Sequence, residues 1–367
     1  MKIIWHFMVN TCSSFSVQGG NSRPVDDVMR IVVMKHAFGV QFLFKSVMAL
    51  SCLHAKDSIG DDLGDPRRQS YYESGTFSEY QRAIEAADPR TFGALLANSL
   101  VITALSSRNF REKESPDLFI LQWILVWRGI GVILHRIRRD ALPNTGLAQL
   151  FYRPSLDLKA AFRHIPPHLW HMVESTLPGD EDFLYKATYL RCLHYLGTLY
   201  HNLRLRGFGA VMNLRIITWF TYLPAPMIDL FRKRQERALV ILAHYCVFLK
   251  LVRNVWWLRG VGDRSLRDLC GYLGPEWHGA VEIPFKALFT DDPLTLARLV
   301  LNEPLWTSRR SHNDEWDEYE ERETRQLSLV DDEGRRVRYE GNIGIMVLEK
   351  PSEPNEQPIW NAMENPE

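Results

Sequence analysis

Three observations predict an all-α protein. Apolar residues recur at helical spacing through the first 304 positions. Strand signals are nearly absent from that stretch, and an apolar share of 46% is ample for a real core. The expected architecture is a single large helical domain of ten or more helices over residues 1–304. An acidic, mostly disordered tail is expected over residues 305–367, with a weak hairpin within it.

The elements follow in order. Trp5 to Ser16 reads as a first helix, and MKIIWHFMV, interrupted by His6, is a poor signal peptide. His36 to Lys56 is apolar on most faces, as a central helix should be. Within Ile31 to Leu53, Lys35, His36, Gln41 and Lys45 interrupt the run, so no membrane span is expected. Phe77, Tyr80 and Ile84 recur at i, i+3 and i+7, predicting an amphipathic helix. Thr91 to Ser107 and Leu118 to Arg139 come next, the second ending in basic residues that suit a helix C-terminus. Pro154, Pro166, Pro167 and Pro178 keep the following helices short. Leu184 to Arg206 is long, with Leu190, Leu193, Gly197 and Tyr200 on one stripe. Glu236 to Leu258 carries Arg237, His244, Lys250 and Asn254 about once per turn pair, predicting a buried helix with one narrow exposed strip. Asp263 to Leu273 and Pro293 to Leu301 complete the body.

Charge and cysteine content narrow the function classes. The chain has 44 basic and 44 acidic side chains. From Leu305 onward, 8 basic residues face 16 acidic ones, so the tail is near −8 and the body near +8. No localised basic stripe marks a nucleic-acid footprint. Cys12, Cys52, Cys192, Cys246 and Cys270 are scattered, without metal-ligand spacing or a disulfide framework, and suit a reduced, intracellular setting. In the tail, Trp316, Tyr319, Leu327 and Leu329 lie among acidic residues, so residues 313–333 are expected to act as an acidic interaction segment outside the fold.

Candidate chemistry is sparse. Asp61, Asp62 and Asp65 form a DDxxD run, which on a helical chain resembles the Mg²⁺-binding motif of class I terpene cyclases. Gly60, Gly64 and Pro66 place it in a loop, and Asn313, Asp314 and Glu321 match the second motif only in part. His164, His168 and His171 have ligand-like spacing, but Pro166 and Pro167 break the register. Gly129 and Gly131 lie in an apolar helix with no preceding strand, so they suit a close helix approach rather than a phosphate loop. No nucleophile elbow or Walker sequence occurs. No catalytic residue, metal site or enzyme activity is expected; the alternative is the Mg²⁺-dependent cyclase using Asp61, Asp62 and Asp65.

Several segments together resemble one family. HAFGVQFLFKSVMALSCLHA, YYESGTFSEYQRAI and QWILVWRGIGVIL are similar to three of its helices. The most specific stretch is Glu236 to Pro284, with Ala243-His244-Tyr245, Trp256–Trp257, Gly262 and Gly274-Pro275-Glu276-Trp277 in order. These resemble the C-terminal regulatory domain of fungal zinc binuclear-cluster (Zn2Cys6) transcription factors of the sterol uptake control type, over roughly residues 3–284. The resemblance implies a nuclear regulator, shuttling from the cytoplasm, that senses a sterol or another small apolar ligand and gates transcription. The partners it implies are the transcription machinery or a DNA-binding partner, and a homodimer. The family's six-cysteine zinc cluster and basic linker are lacking in this chain, so no cofactor and no sequence-specific DNA binding by the chain alone are expected. An apolar ligand is expected between the long buried helices, near Trp127, Tyr245, Leu249 and Trp256.

Overall fold

The computed structural model describes residues 1–15, 23–58, 65–136, 139–308, 325–340 and 344–347. Its helices are α1 (Lys2–His6), α2 (Cys12–Phe15), α3 (Arg23–Asp27), α4 (Met34–Gly39), α5 (Gln41–Ser58), α6 (Pro66–Glu73), α7 (Thr76–Ala86), α8 (Phe92–Ser106) and α9 (Phe119–Arg136). They continue as α10 (Leu158–Phe162), α11 (Pro167–Glu174), α12 (Lys186–Arg206), α13 (Ala210–Thr218), α14 (Ala225–Arg232), α15 (Glu236–Leu251), α16 (Val261–Tyr272), α17 (Glu282–Ala287) and α18 (Pro293–Leu301). Strands β1 (Val337–Glu340) and β2 (Gly344–Val347) pair antiparallel, Val337 opposite Val347. The all-α architecture is the one the sequence predicts.

Two groups of helices share one contiguous core. In the first, α5 packs on α1, α4, α6, α7 and α8, and α8 carries α9. In the second, α15 is the axis. Every residue from Ala238 to Leu251 is buried, and α11 to α14 and α16 to α18 surround it. A helix apolar on all sides has no solvent face to offer, so neighbours must enclose it. The five cysteines are all free thiols. Among the described residues no helix is long and apolar enough to cross a membrane.

Several expected elements differ in detail. The helix expected over 36–56 breaks at Val40, which is extended. Gly39 before it is a poor helix former, and the β-branched Val40 suits extended backbone. Phe77 points to solvent and Tyr80 alone of its triplet is fully buried. The helix expected to reach Leu258 stops at Leu251, and Trp256 to Leu258 form a separate 3₁₀ turn. Val252 and Asn254, both weak helix formers, occupy the break. The narrow exposed strip on that helix is absent: His244 and Lys250 are 1% and 5% exposed. Each has polar partners on neighbouring elements, which a one-dimensional pattern cannot show.

The segment after residue 325 also departs from expectation. Of the stretch 313–333, residues 313–324 lie outside the described structure, but residues 328–333 lie against the body. Arg153 N–H donates to Ser328 O at 2.8 Å, and Ser328 N–H donates back to Arg153 O at 3.2 Å. Leu156 N–H donates to Gly334 O at 3.0 Å. Pro154 keeps that part of the body extended, leaving backbone groups for another strand to pair with. Residues 331–334 form a turn, with the Asp331 carboxylate accepting from Glu333 N–H and Arg335 N–H at 3.1 and 2.8 Å. Val330 and Val337 bury their side chains, 7% and 6% exposed.

Candidate ligand cavity

A cavity of about 200 Å³ lies between α9, α13, the stretch Gln149 to Arg153 and residues 329–332. On α9, Trp127, Ile130, Gly131 and Leu134 line it. Their i, i+3, i+4, i+7 spacing puts them on one helix face. Ile217 and Trp257 form part of the opposing wall, and Leu329, Val330 and Asp332 roof it. A methyl group at Gly131 would meet no atom within 4 Å. The glycines of α9 thus do not bring a neighbouring helix close, contrary to the expectation from sequence; Gly131 leaves the cavity wall low.

The wall carries few polar groups. Arg153 is half-buried, donates to Thr221 Oγ1 and to Val330 O (3.2 Å), and sits 4.9 Å from the centre of the Tyr222 ring. All three partners are neutral. Trp127 is 6% exposed, and its indole N–H is buried with no acceptor among the described residues. Thr103, also on the wall, gives its carbonyl to Trp123 Nε1 at 3.1 Å.

Of the four residues expected at a ligand, Trp127 lines this cavity. Tyr245 is one aromatic layer deeper. Trp127 packs on Phe220 at 6.1 Å, Phe220 on Tyr245 at 4.7 Å, and Tyr245 stacks on Trp219 at 4.2 Å. Its hydroxyl donates to Ile216 O at 2.8 Å, and burial pushes its pKa up. Leu249 is 1% exposed inside α15. Trp256 does not line the cavity and packs instead on His54, 4.7 Å between ring centres. Sequence reasoning missed Arg153 and Gly131 as cavity residues, and of the Trp256–Trp257 pair it placed Trp256 at the ligand where the cavity is lined by Trp257. The helical spacing of Trp127, Gly131 and Leu134 was a usable signal for the face, but nothing local ties Arg153 to it across the fold.

The motifs of the resembling segment have structural work of their own. His244 Nε2 bonds Ala280 O at 2.8 Å and Nδ1 faces the Tyr200 hydroxyl at 3.3 Å. A carbonyl only accepts, so Nε2 carries the proton and Tyr200 donates to Nδ1. Burial holds the His244 pKa down to about 3. Trp277 Nε1 donates to Glu236 Oε2 at 2.7 Å. Gly262 lets α16 touch α15: a Cβ there would lie 2.6 Å from Lys250 N.

Other expected chemistry does not assemble. Asp61 and Asp62 lie outside the described residues, and Asp65 caps α6, accepting from Arg67 N–H at 2.9 Å. His164 accepts from Arg204 at 2.9 Å and packs on His201, His168 packs on His244, and His171 is exposed. No group of three or more His, Cys, Asp or Glu poised for a metal occurs among the described residues.

The chain is 23% identical over 299 residues to a Zn(2)-C6 fungal-type transcription factor of Gibberella zeae, an alignment covering 74% of this chain and 58% of that protein. It is 21% identical over 272 residues to the Zn(2)-C6 fungal-type transcription factor afumD of Aspergillus fumigatus, covering 67% and 66%. The chain therefore spans less than two thirds of either relative's length. No protein-family model matches the chain, and no solved structure matches it. The chain is thus similar in sequence to Zn(2)-C6 fungal-type transcription factors.

Proposed function

We propose that this chain is a regulatory region of a fungal transcriptional regulator, acting in the nucleus on the transcription machinery or through a DNA-binding partner, without catalysis. The similarity to two Zn(2)-C6 fungal-type transcription factors carries this reading. The resemblance of residues 236–284 to the sterol uptake control type supports a ligand-gated mode of action, and the apolar cavity beneath residues 329–332 is where such a ligand would act. At about 200 Å³ it is smaller than the roughly 300–1,000 Å³ of most ligand pockets. A sterol, the ligand the resemblance implies, would need it to enlarge.

Fusing residues 1–367 to a heterologous DNA-binding domain in a fungal host tests the reading. The fusion should change expression of a cognate reporter several-fold relative to the DNA-binding domain alone. An unchanged reporter, with the fusion shown by imaging to be intact and nuclear, overturns it.

A further inference from the structure

We propose that the roofed cavity binds a small monocarboxylate with an apolar body, its carboxylate held by Arg153. The proposal deepens the regulatory reading above and rests on it for its biological meaning, though binding is measurable without it.

Shape sets the size class. A cavity of about 150 Å³ admits one benzene ring, so about 200 Å³ takes a single substituted ring or a chain of around ten carbons. A four-ring sterol exceeds it. The walls set the polarity: Trp127, Ile130, Leu134, Ile217 and Trp257 give an apolar body its surroundings.

Charge sets the head group. Arg153 lines the cavity, half-buried, yet the partners around it are a hydroxyl, a backbone carbonyl and a tyrosine face. Among the described residues it has no carboxylate within ion-pair distance. A guanidinium against apolar walls is a fork for a planar anion, and a carboxylate matches it with paired hydrogen bonds. Asp332 is the other charged residue on the wall and is solvent-exposed, so water screens it from an anion held at Arg153. The wall therefore selects a carboxylate over an amine or an alcohol.

Calorimetric titration of the full chain with decanoate, decanol and ergosterol tests this, using wild type, Arg153→Gln and Gly131→Leu. Decanoate should bind wild type with one site, and Arg153→Gln should weaken it by about ten-fold or more, the usual worth of a charged hydrogen bond. Decanol should bind more weakly and be indifferent to Arg153→Gln. Gly131→Leu, which adds a side chain on the cavity face where a Cβ meets nothing within 4 Å, should abolish decanoate binding at an undiminished thermal midpoint. This second variant keeps the test decisive if Arg153→Gln does not fold. Absence of decanoate binding to wild type, equal affinity for decanoate and decanol, or binding that survives Gly131→Leu would each overturn the proposal, as would ergosterol competing for the same site. Decanoate binding with a silent reporter fusion would leave the site standing and remove the regulatory reading; an active reporter without decanoate binding would do the reverse.

Discussion

Buried polar side chains show where single residues hold this fold. His244 joins α12, α15 and the turn before α17 through Tyr200 and Ala280. Replacing it with Ala strands the Tyr200 hydroxyl and the Ala280 carbonyl and opens a cavity, so His244→Ala should cost about 2–4 kcal/mol in urea unfolding. Its titration gives a second test. Burial lowers the His244 pKa from 6.5 to about 3, and burial with the neighbouring His6 lowers that of His54 to about 4. A lowered folded pKa means the unfolded chain takes up the proton first. Stability is therefore complete above about pH 6.5 and falls as pH drops below it, until the folded-state pKa is reached. Each histidine should contribute a slope of about 1.4 kcal/mol per pH unit in that window. Urea unfolding between pH 7.5 and 5 should show it, and His244→Gln should flatten the curve; an unchanged slope refutes the assignment. Lys250 belongs with these residues. It donates to Ala287 O at 2.8 Å and pairs with Asp263 at 2.7 Å and Asp291 at 3.2 Å. The sequence placed it on an exposed strip because its partners come from elsewhere in the chain.

At the scale of helices, two glycine positions with similar surroundings in sequence have opposite roles. Gly262 is where α16 crosses α15, and any side chain meets Lys250 backbone. Gly262→Ala should destabilise by about 1–3 kcal/mol through overpacking. Gly129 and Gly131 lie inside α9, and a methyl carbon added at either would meet no atom within 4 Å. Gly129→Ala should instead stabilise by roughly 0.5–1 kcal/mol, the helix-propensity difference. Thermal unfolding of the two variants in parallel should move the midpoint in opposite directions. Periodicity gave the helices themselves well, with α18 over Pro293–Leu301 read to the residue and α8 to within one at each end. It failed at Val40 and Val252, where a long apolar run conceals a break. Local propensity there is weak, and the packing of the following segment decides.

Across the whole molecule, the most specific resembling stretch, Glu236 to Pro284, and the cavity are largely different parts, with Trp257 common to both. Glu236 to Trp277 builds the axis of the second helical group, and its histidine, tyrosine, glycine and tryptophan positions serve packing. The cavity is drawn mostly from α9, residues 149–153, α13 and residues 329–332, which meet only in the folded chain. Tyr245, Leu249 and Trp256, from the stretch Glu236 to Pro284, sit in the scaffold; Trp127, from the resembling helix α9, reaches the cavity. The roof is the least expected piece, since residues 328–333 read as an acidic segment outside the fold. Gly334 holds it in place: its φ is +77°, and a Cβ would lie 2.5 Å from Leu156 Cγ. Gly334→Val combines a disfavoured backbone region for a β-branched residue with that clash, and should release the roof while sparing the helical core. Hydrogen exchange reads this directly. The amides of Arg153 and Leu156, bonded to Ser328 O and Gly334 O, should exchange at least about ten-fold faster in the variant, while amides of α15 keep their protection. If the roof closes the ligand site, decanoate should also dissociate faster from Gly334→Val than from wild type. Unchanged exchange at Arg153 and Leu156 would mean that these backbone pairings do not hold residues 328–334 on the body.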